Sequence, residues 1–174
     1  INLIPRYYDV TKGSVKVDGV DVRDMTQKEL RDKLGYVPQK GVLFSGTIDS
    51  NIRYGKPEIT DAQVKEAAEV AQATEFIDTK PEKYESPVSQ GGTNVSGGQK
   101  QRLSIARAIA KDPEIFIFDD SFSALDFKTD SQLRKALKEY TKDATTVIVA
   151  QRISTILGAD QIIVLDDGHM AGIG

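Results

Sequence analysis

The sequence predicts an α/β domain in which a mostly parallel sheet carries a helical insertion. Five short apolar runs have the residue types of strands, and amphipathic helical patterns lie between them. Strands that alternate with helices favour a parallel sheet with crossover helices. The composition is typical of a globular chain, because 39% of the 174 residues are hydrophobic and 28% are charged.

The predicted strands are residues 15–17, 34–37, 115–118, 147–149 and 162–165. The last three are continuous apolar runs rich in β-branched or aromatic residues. This pattern predicts strands that are buried on both faces.

The predicted helices cover residues 61–71, 98–110 and 127–140, where apolar side chains recur at helical spacing. Residues 41–95 contain helical patterns and proline breakers but no convincing strand, which predicts a helical insertion. We therefore divide the chain into an α/β core, residues 1–40 and 96–174, and a helical subdomain of about residues 41–95.

The charge and the cysteine count exclude several kinds of function. The net charge of −3 argues against a surface for nucleic acid or anionic lipid. The absence of cysteine excludes disulfides, thiolate metal sites and cysteine nucleophiles. No apolar run approaches the roughly 20 residues that cross a bilayer.

A first candidate site lies at the start of the helix predicted from residue 98. Ser96 is a good N-cap, and Gly97 and Gly98 leave the backbone open to close approach. Free N–H groups at a helix N-terminus attract anions, so a phosphate would suit this position. The alternative is a loop that only caps the helix.

A second candidate site follows the predicted strand at residues 115–118, which ends in Asp119 and Asp120. Ligands of open α/β sheets bind at the carboxyl ends of strands. One carboxylate could hold Mg²⁺, and the next could orient an attacking water. The alternative is an ordinary strand exit with solvated acids.

Together these motifs resemble the nucleotide-binding domain of exporter-type ABC transporters. Residues 96–99 match the family's signature motif, with Val95 in place of the usual leucine, and Asp119 matches the Walker B aspartate. Other matching segments are Tyr36-Val37-Pro38-Gln39 (the Q-loop), the exporter-like stretch that follows it at residues 41–48, Ser89-Gln90-Gly91-Gly92 (where exporters contact the coupling helices), and Ser123-Ala124-Leu125-Asp126 (the D-loop).

This resemblance implies a fold, two cofactors and a set of site residues. The fold is a P-loop NTPase (RecA-like) parallel-sheet core with an α-helical subdomain, truncated at both ends, and the cofactors are ATP and Mg²⁺. The implied nucleotide-binding residues are Ser96, Gly97, Gly98, Gln99, Gln39 and Asp126; the implied metal ligands are Asp119 and Gln39; the implied catalytic residues are Asp120 and Gln151.

The sequence departs from the family pattern at three places. The phosphate-binding loop, Gly-x₄-Gly-Lys-Ser/Thr, appears nowhere in the 174 residues, so the isolated chain is expected to be inactive. Asp120 stands where the family has its catalytic glutamate, and Gln151 stands where it has a histidine. Neutral drift is one interpretation; the other is a degenerate ATP site, as in one subunit of heterodimeric exporters.

The resemblance also implies partners and a location. The family's head-to-tail dimer pairs this chain with a second nucleotide-binding domain, whose site the signature motif would complete. Transmembrane domains of the same transporter are the other partner, which places the domain at the cytoplasmic face of the membrane, and no nucleic acid is expected.

Two alternative functions are a non-catalytic, nucleotide-dependent dimerisation module and a soluble ABC ATPase of DNA repair.

Arg107 is interpreted as a structural partner for a core acid.

Overall fold

The computed structural model describes residues 1–174. The strands are β1 (Lys16–Val17), β2 (Val20–Asp21), β3 (Leu34–Val37), β4 (Gly46–Thr47), β5 (Pro87–Val88), β6 (Ile115–Asp119), β7 (Thr145–Val149), β8 (Ile163–Asp166) and β9 (His169–Ile173). The helices are α1 (Gln27–Asp32), α2 (Ile48–Ile52), α3 (Asp61–Val70), α4 (Thr74–Asp78), α5 (Gly97–Ala110), α6 (Phe127–Tyr140) and α7 (Ile153–Ile156).

The central sheet is parallel and has the order β3-β6-β7. β6 lies in the middle, and Phe116, Ile117 and Phe118 are at most 1% exposed. Because all three strands run in the same direction, their carboxyl ends meet at one edge of the sheet. The predicted parallel sheet is therefore confirmed, and its middle strand delivers Asp119 to that edge.

A hydrophobic core of 26 residues joins residues 41–95 to the central sheet. α5 lies at its centre and packs against α2, α3 and β3. The α3 face predicted from Val64, Ala67 and Ala68 is buried in this core. No helix of the structure combines the length and the apolar character that a membrane span requires.

Four helices start with a capping box, in which the N-cap hydroxyl and the N3 side chain exchange hydrogen bonds with each other's backbone. The N-cap residues are Thr26 of α1, Thr47 of α2, Thr60 of α3 and Ser96 of α5. These local signals fix where the helices begin, and α6 has the bounds that its apolar spacing predicts.

Three predictions about strands were wrong in part. Residues 41–95 do contain strands, because β4 and β5 form an antiparallel pair of two residues each, too short to show any periodicity. The run at residues 162–165 is exposed rather than buried, since β8 pairs only with β9 in a separate hairpin. β7 is also largely uncovered, because it is an edge strand of the central sheet.

Both short hairpins turn at an Asp-Gly pair. Asp18 and Gly19 connect β1 to β2 with φ angles of 51° and 79°, and Asp167 and Gly168 connect β8 to β9 with 46° and 76°. Positive φ at both central residues gives a turn whose twist matches that of the flanking strands. Asp-Gly between two apolar runs therefore explains why β8 pairs with its neighbour in sequence.

Candidate functional site

Two successive carboxylates lie at the carboxyl end of β6. Asp119 is the last residue of the strand, opposite Val149 of β7. The N–H of Asp120 donates to the Val149 carbonyl at 2.9 Å, while its φ of 45° places it in the left-handed region. Aspartate tolerates this conformation better than most side chains do. The backbone therefore turns away from the sheet directly after the pair.

The side chains of Gln39 and Gln151 converge on Asp120. Gln39 follows β3, and its Nε2 donates to Asp120 Oδ2 at 3.0 Å. Gln151 follows β7, and its Nε2 donates to the same oxygen at 3.2 Å. The three strand ends thus bring together three residues that are far apart in the sequence, and two amides donate to one carboxylate oxygen.

Asp119 is held by a different neighbour. The hydroxyl of Tyr36 on β3 donates to Asp119 Oδ2 at 3.1 Å and lies 3.2 Å from Asn2 Oδ1. Burial and the adjacent Asp119 carboxylate raise the pKa of Tyr36 to about 12, so the phenol stays protonated at neutral pH. No signal in the sequence indicated this role of Tyr36, because the contact joins residues 83 positions apart and depends on the pairing of β3 with β6.

Gln101 on α5 was also missed, although it fixes the loop that carries Gln39. Its Oε1 accepts from the Gly41 N–H at 2.9 Å, and its Nε2 donates to the Pro38 carbonyl at 3.0 Å. The side chain is 1% exposed, so these bonds are largely shielded from water. The signal in the sequence was a polar residue at helical spacing from apolar ones, since Gln101 shares a helix face with Ile105 and Ala108.

Ser96 and Gln99 form the capping box of α5. The Gln99 N–H donates to Ser96 Oγ at 3.2 Å, and the Ser96 N–H donates to Gln99 Oε1 at 3.1 Å. Ser96 and Gly97 are exposed, and a Cβ on Gly98 would lie 3.5 Å from the Ala124 carbonyl oxygen. The helix start is therefore open to solvent on one side and rests on the loop at residues 123–126 on the other.

No side-chain hydrogen bond joins residues 96–99 or Asp126 to the Asp119–Asp120 pair. The Asp126 carboxylate instead caps α6, accepting from the Thr129 N–H at 2.9 Å and from the Thr129 hydroxyl at 2.6 Å. These bonds hold the pKa of Asp126 below its usual value. The predicted site residues thus fall into two groups within this chain.

Arg107 does not pair with a core acid, contrary to our prediction. Its guanidinium donates to the Asn51 backbone and side-chain oxygens and to the Val42 carbonyl at 2.8–2.9 Å. It also faces the stacked rings of Phe44 and Tyr54. Burial lowers the pKa of Arg107 to about 10, because neutral oxygens compensate the charge less well than a carboxylate would.

The oxygens at the sheet edge suit a hard divalent cation. Asp119 uses Oδ2 to accept from Tyr36, which leaves Oδ1 available, and the Oε1 of Gln39 is likewise not used in its bond to Asp120. No group of three or more His, Cys, Asp or Glu side chains could enclose a metal. Mg²⁺ usually needs only one or two carboxylates, with phosphate and water oxygens as its other ligands, so these residues fit it.

Comparisons with known proteins agree on one family. The sequence profile described as "ABC transporter" matches residues 1–123. The chain is 47% identical over all its 174 residues to multidrug export ATP-binding/permease proteins of Staphylococcus aureus, in strains NCTC 8325 and bovine RF122. It spans 30% of the length of these relatives.

A solved structure of a bacterial Atm1-family ABC exporter with ATP bound is similar in fold. The TM-score is 0.95 at 40% identity, over 99% of this chain and 30% of that one. The resemblance inferred from the sequence motifs is thereby confirmed, as is the P-loop NTPase fold of an ABC ATPase domain.

Proposed function

The chain belongs to the ABC transporter family, and from that premise we propose that it is the ATP-binding and ATP-hydrolysing domain of a membrane exporter. Its relatives are named for both an ATP-binding part and a permease, and the chain matches 30% of their length. In this proposal the domain lies at the cytoplasmic face of the membrane, in contact with transmembrane domains. The 174 residues alone are proposed to be inactive, because they contain no Gly-x₄-Gly-Lys-Ser/Thr loop.

The proposed ligands of the site are ATP and Mg²⁺. Asp119 would hold the metal, since its Oδ1 accepts no hydrogen bond, and Gln39 would be the second ligand from the same edge of the sheet. The chemistry that bound Mg²⁺ supplies is neutralisation of the phosphate charge. The start of α5 presents the backbone N–H groups of Gly97 and Gly98 to the phosphates of a nucleotide held by a second domain, since those of Ser96 and Gln99 are used in the capping box. Asp126 joins that contact through its loop, since its carboxylate caps α6.

The observation that carries the proposal is the hold on Asp120. Aspartate is one methylene shorter than the family's glutamate, and two amides draw Oδ2 of Asp120 towards Gln39 and Gln151. A displacement of about 1 Å can cost on the order of 100-fold in rate. Gln151 cannot gain a proton near neutral pH, unlike a histidine. Both features slow the same step, the hydrolysis of ATP, so the chain's own site is proposed to be degenerate.

The proposed role follows from the family's head-to-tail dimer, in which one domain's Walker motifs and the other's signature enclose each ATP. The chain keeps Ser96, Gly97, Gly98 and Gln99 in a well-formed capped helix. It would therefore complete the active site of a second nucleotide-binding domain while its own site turns over slowly. The asymmetry predicts that its partner differs from it at the positions of Asp120 and Gln151.

The experiment is an ATP hydrolysis assay on an assembled exporter. The chain replaces the corresponding 174 residues of the Staphylococcus aureus relative, and this chimera is co-assembled with a subunit that carries Glu and His at the positions of Asp120 and Gln151. Ser96→Arg blocks the start of α5 with a bulky cation. Asp120→Glu combined with Gln151→His restores the family's residues.

We expect Ser96→Arg to remove most of the turnover, and the double replacement to increase it. Ser131→Arg, the same replacement at an exposed position of α6, is the matched control. Turnover that survives Ser96→Arg would contradict the proposed role of the helix start. Nucleotide binding without any turnover, before and after the double replacement, would favour the non-catalytic dimerisation module instead.

A further inference from the structure

The carboxylate of Asp119 is tethered at one oxygen only. Its Oδ2 accepts from the Tyr36 hydroxyl at 3.1 Å, across the parallel register that places β3 beside β6. Because a carboxylate is planar, fixing one oxygen restricts the direction in which the other points. The contact is charge-assisted, and such bonds are stronger and more directional than those between neutral groups.

The Tyr36 hydroxyl faces two acceptors, Asp119 Oδ2 at 3.1 Å and Asn2 Oδ1 at 3.2 Å. A phenol has one proton, so it cannot donate to both side chains at the same time. The carboxylate is the charged acceptor and therefore forms the stronger hydrogen bond. The Tyr36 hydroxyl is thus directed mainly to Asp119, and Asn2 is the competing neutral acceptor.

The ring of Tyr36 is itself held in place. Tyr7 packs edge-on against it with ring centroids 5.6 Å apart, and Arg31 lies over the Tyr7 ring at 5.3 Å. Tyr36 is half-buried, and its neighbour Val37 is fully buried. The hydroxyl is thus delivered by a fixed ring on a sheet strand, which is how residues behind a metal ligand usually orient it.

We infer that Tyr36 is a positioning residue for the metal-binding carboxylate: it fixes Asp119 through Oδ2, so that Oδ1 would be available to the metal. The inference rests on the proposed function, since it assigns Mg²⁺ to Asp119. In this proposal Tyr36 acts through Asp119, to which its hydroxyl is bonded.

The test measures metal binding rather than turnover. The chimeric exporter is saturated with ATP and titrated with Mn²⁺, with free Mn²⁺ followed by EPR, and the affinity for a fluorescent ATP analogue is measured separately without metal. Residues that orient a metal ligand typically contribute 10–100-fold to metal affinity. We expect Tyr36→Phe to weaken Mn²⁺ binding roughly tenfold, which is the lower end of this range, because the site is only half-buried. The affinity for nucleotide without metal should not change.

Tyr7→Phe is the matched control, since it removes a hydroxyl from the adjacent ring without touching the bond to Asp119. It should leave both affinities as they were. An unchanged Mn²⁺ affinity in Tyr36→Phe would overturn the inference. An equal loss of Mn²⁺ and metal-free nucleotide affinity would also overturn it, because it would show a general structural role.

Asp119→Asn separates this inference from the proposed function. The assembled exporter has two nucleotide sites, and Asp119→Asn should remove only the Mn²⁺ bound at the site of this chain. If Asp119→Asn removes that Mn²⁺ while Tyr36→Phe does not change its affinity, only the positioning role is refuted. If Asp119→Asn leaves Mn²⁺ binding at both sites intact, the metal assignment and with it the proposed site are refuted. Asn2→Asp offers the Tyr36 proton a competing carboxylate, and we expect a loss of Mn²⁺ affinity of the same order as that of Tyr36→Phe.

Discussion

Replacing Gln101 with methionine tests how strongly α5 holds the loop that carries Gln39. The side chain is 1% exposed and bonds to the Gly41 N–H at 2.9 Å and to the Pro38 carbonyl at 3.0 Å. A hydrogen bond contributes about 1 kcal/mol net, and a buried group left unpaired costs roughly 1–3 kcal/mol. Gly41 and Pro38 are only half-buried. We therefore expect the loss of both bonds to lower the free energy of opening the loop by about 2–3 kcal/mol.

This loss should appear first as local opening of the loop. At about 1.4 kcal/mol for each factor of ten, the Gly41 amide should open roughly 30- to 150-fold more often. Amide hydrogen exchange measured by NMR reports that opening directly, and the amide of Ile105 in the middle of α5 serves as the reference for global unfolding. Gln27→Met is the matched control, because it makes the same chemical change at an exposed position of α1.

An unchanged exchange rate at Gly41 in Gln101→Met, with the fold intact, would refute the reasoning. It would mean that the loop is held by other contacts, such as the bond of 2.8 Å from Ser121 Oγ to the Val37 carbonyl. A rise at Gly41 and Ile105 by the same factor would also refute it. That result would show that Gln101 stabilises the whole domain rather than the loop.

Two further predictions follow from the same part of the molecule. Burial and Asp119 raise the pKa of Tyr36 from 10.0 to about 12, so the tyrosinate absorbance that is lost in Tyr36→Phe should have its midpoint near pH 12. The stability that this shift contributes is complete below pH 10 and is lost as the pH rises towards 12, since the folded state retains the proton longer. Gly41→Ala places a Cβ 2.8 Å from the Lys100 carbonyl oxygen and 2.9 Å from Ser104 Oγ; we expect about 1–3 kcal/mol of destabilisation in chemical denaturation, whereas Gly97→Ala, with nothing within 4 Å, should change stability far less.

Local signals in the sequence predicted the elements that depend on them. The hydroxyl of Ser96 and the amide of Gln99 are three residues apart, so the start of α5 could be read from the sequence to within one residue. The apolar run before Asp119 likewise predicted β6 and the acids at its end. Apolar composition indicated strands at residues 147–149 and 162–165 but not their coverage, because burial depends on neighbours distant in the chain.

The contacts that build the site could not be predicted in the same way. Tyr36 is 83 residues from Asp119, and Gln101 is 60 residues from Gly41. Whether a tyrosine reaches a carboxylate depends on strand register, which sequence periodicity leaves open. Gln39 and Gln151 reach Asp120 from both sides because β6 lies between β3 and β7 in the sheet. The sequence does not reveal this strand order.

α5 is one rigid rod of 14 residues, about 20 Å long, and it contacts three separate parts of the molecule. Its first turn carries the signature motif. Its second turn is hydrogen-bonded to the Gln39 loop through Gln101, and its later turns are hydrogen-bonded to residues 42 and 51 through Arg107. A rod cannot shift at one end without shifting at the other. Substitutions at these three places should therefore give non-additive effects in double-mutant cycles, even where the side chains never meet. We therefore expect a substitution that alters nucleotide affinity at the helix start to affect the Gln39 loop at the sheet edge as well, because both contact the same helix.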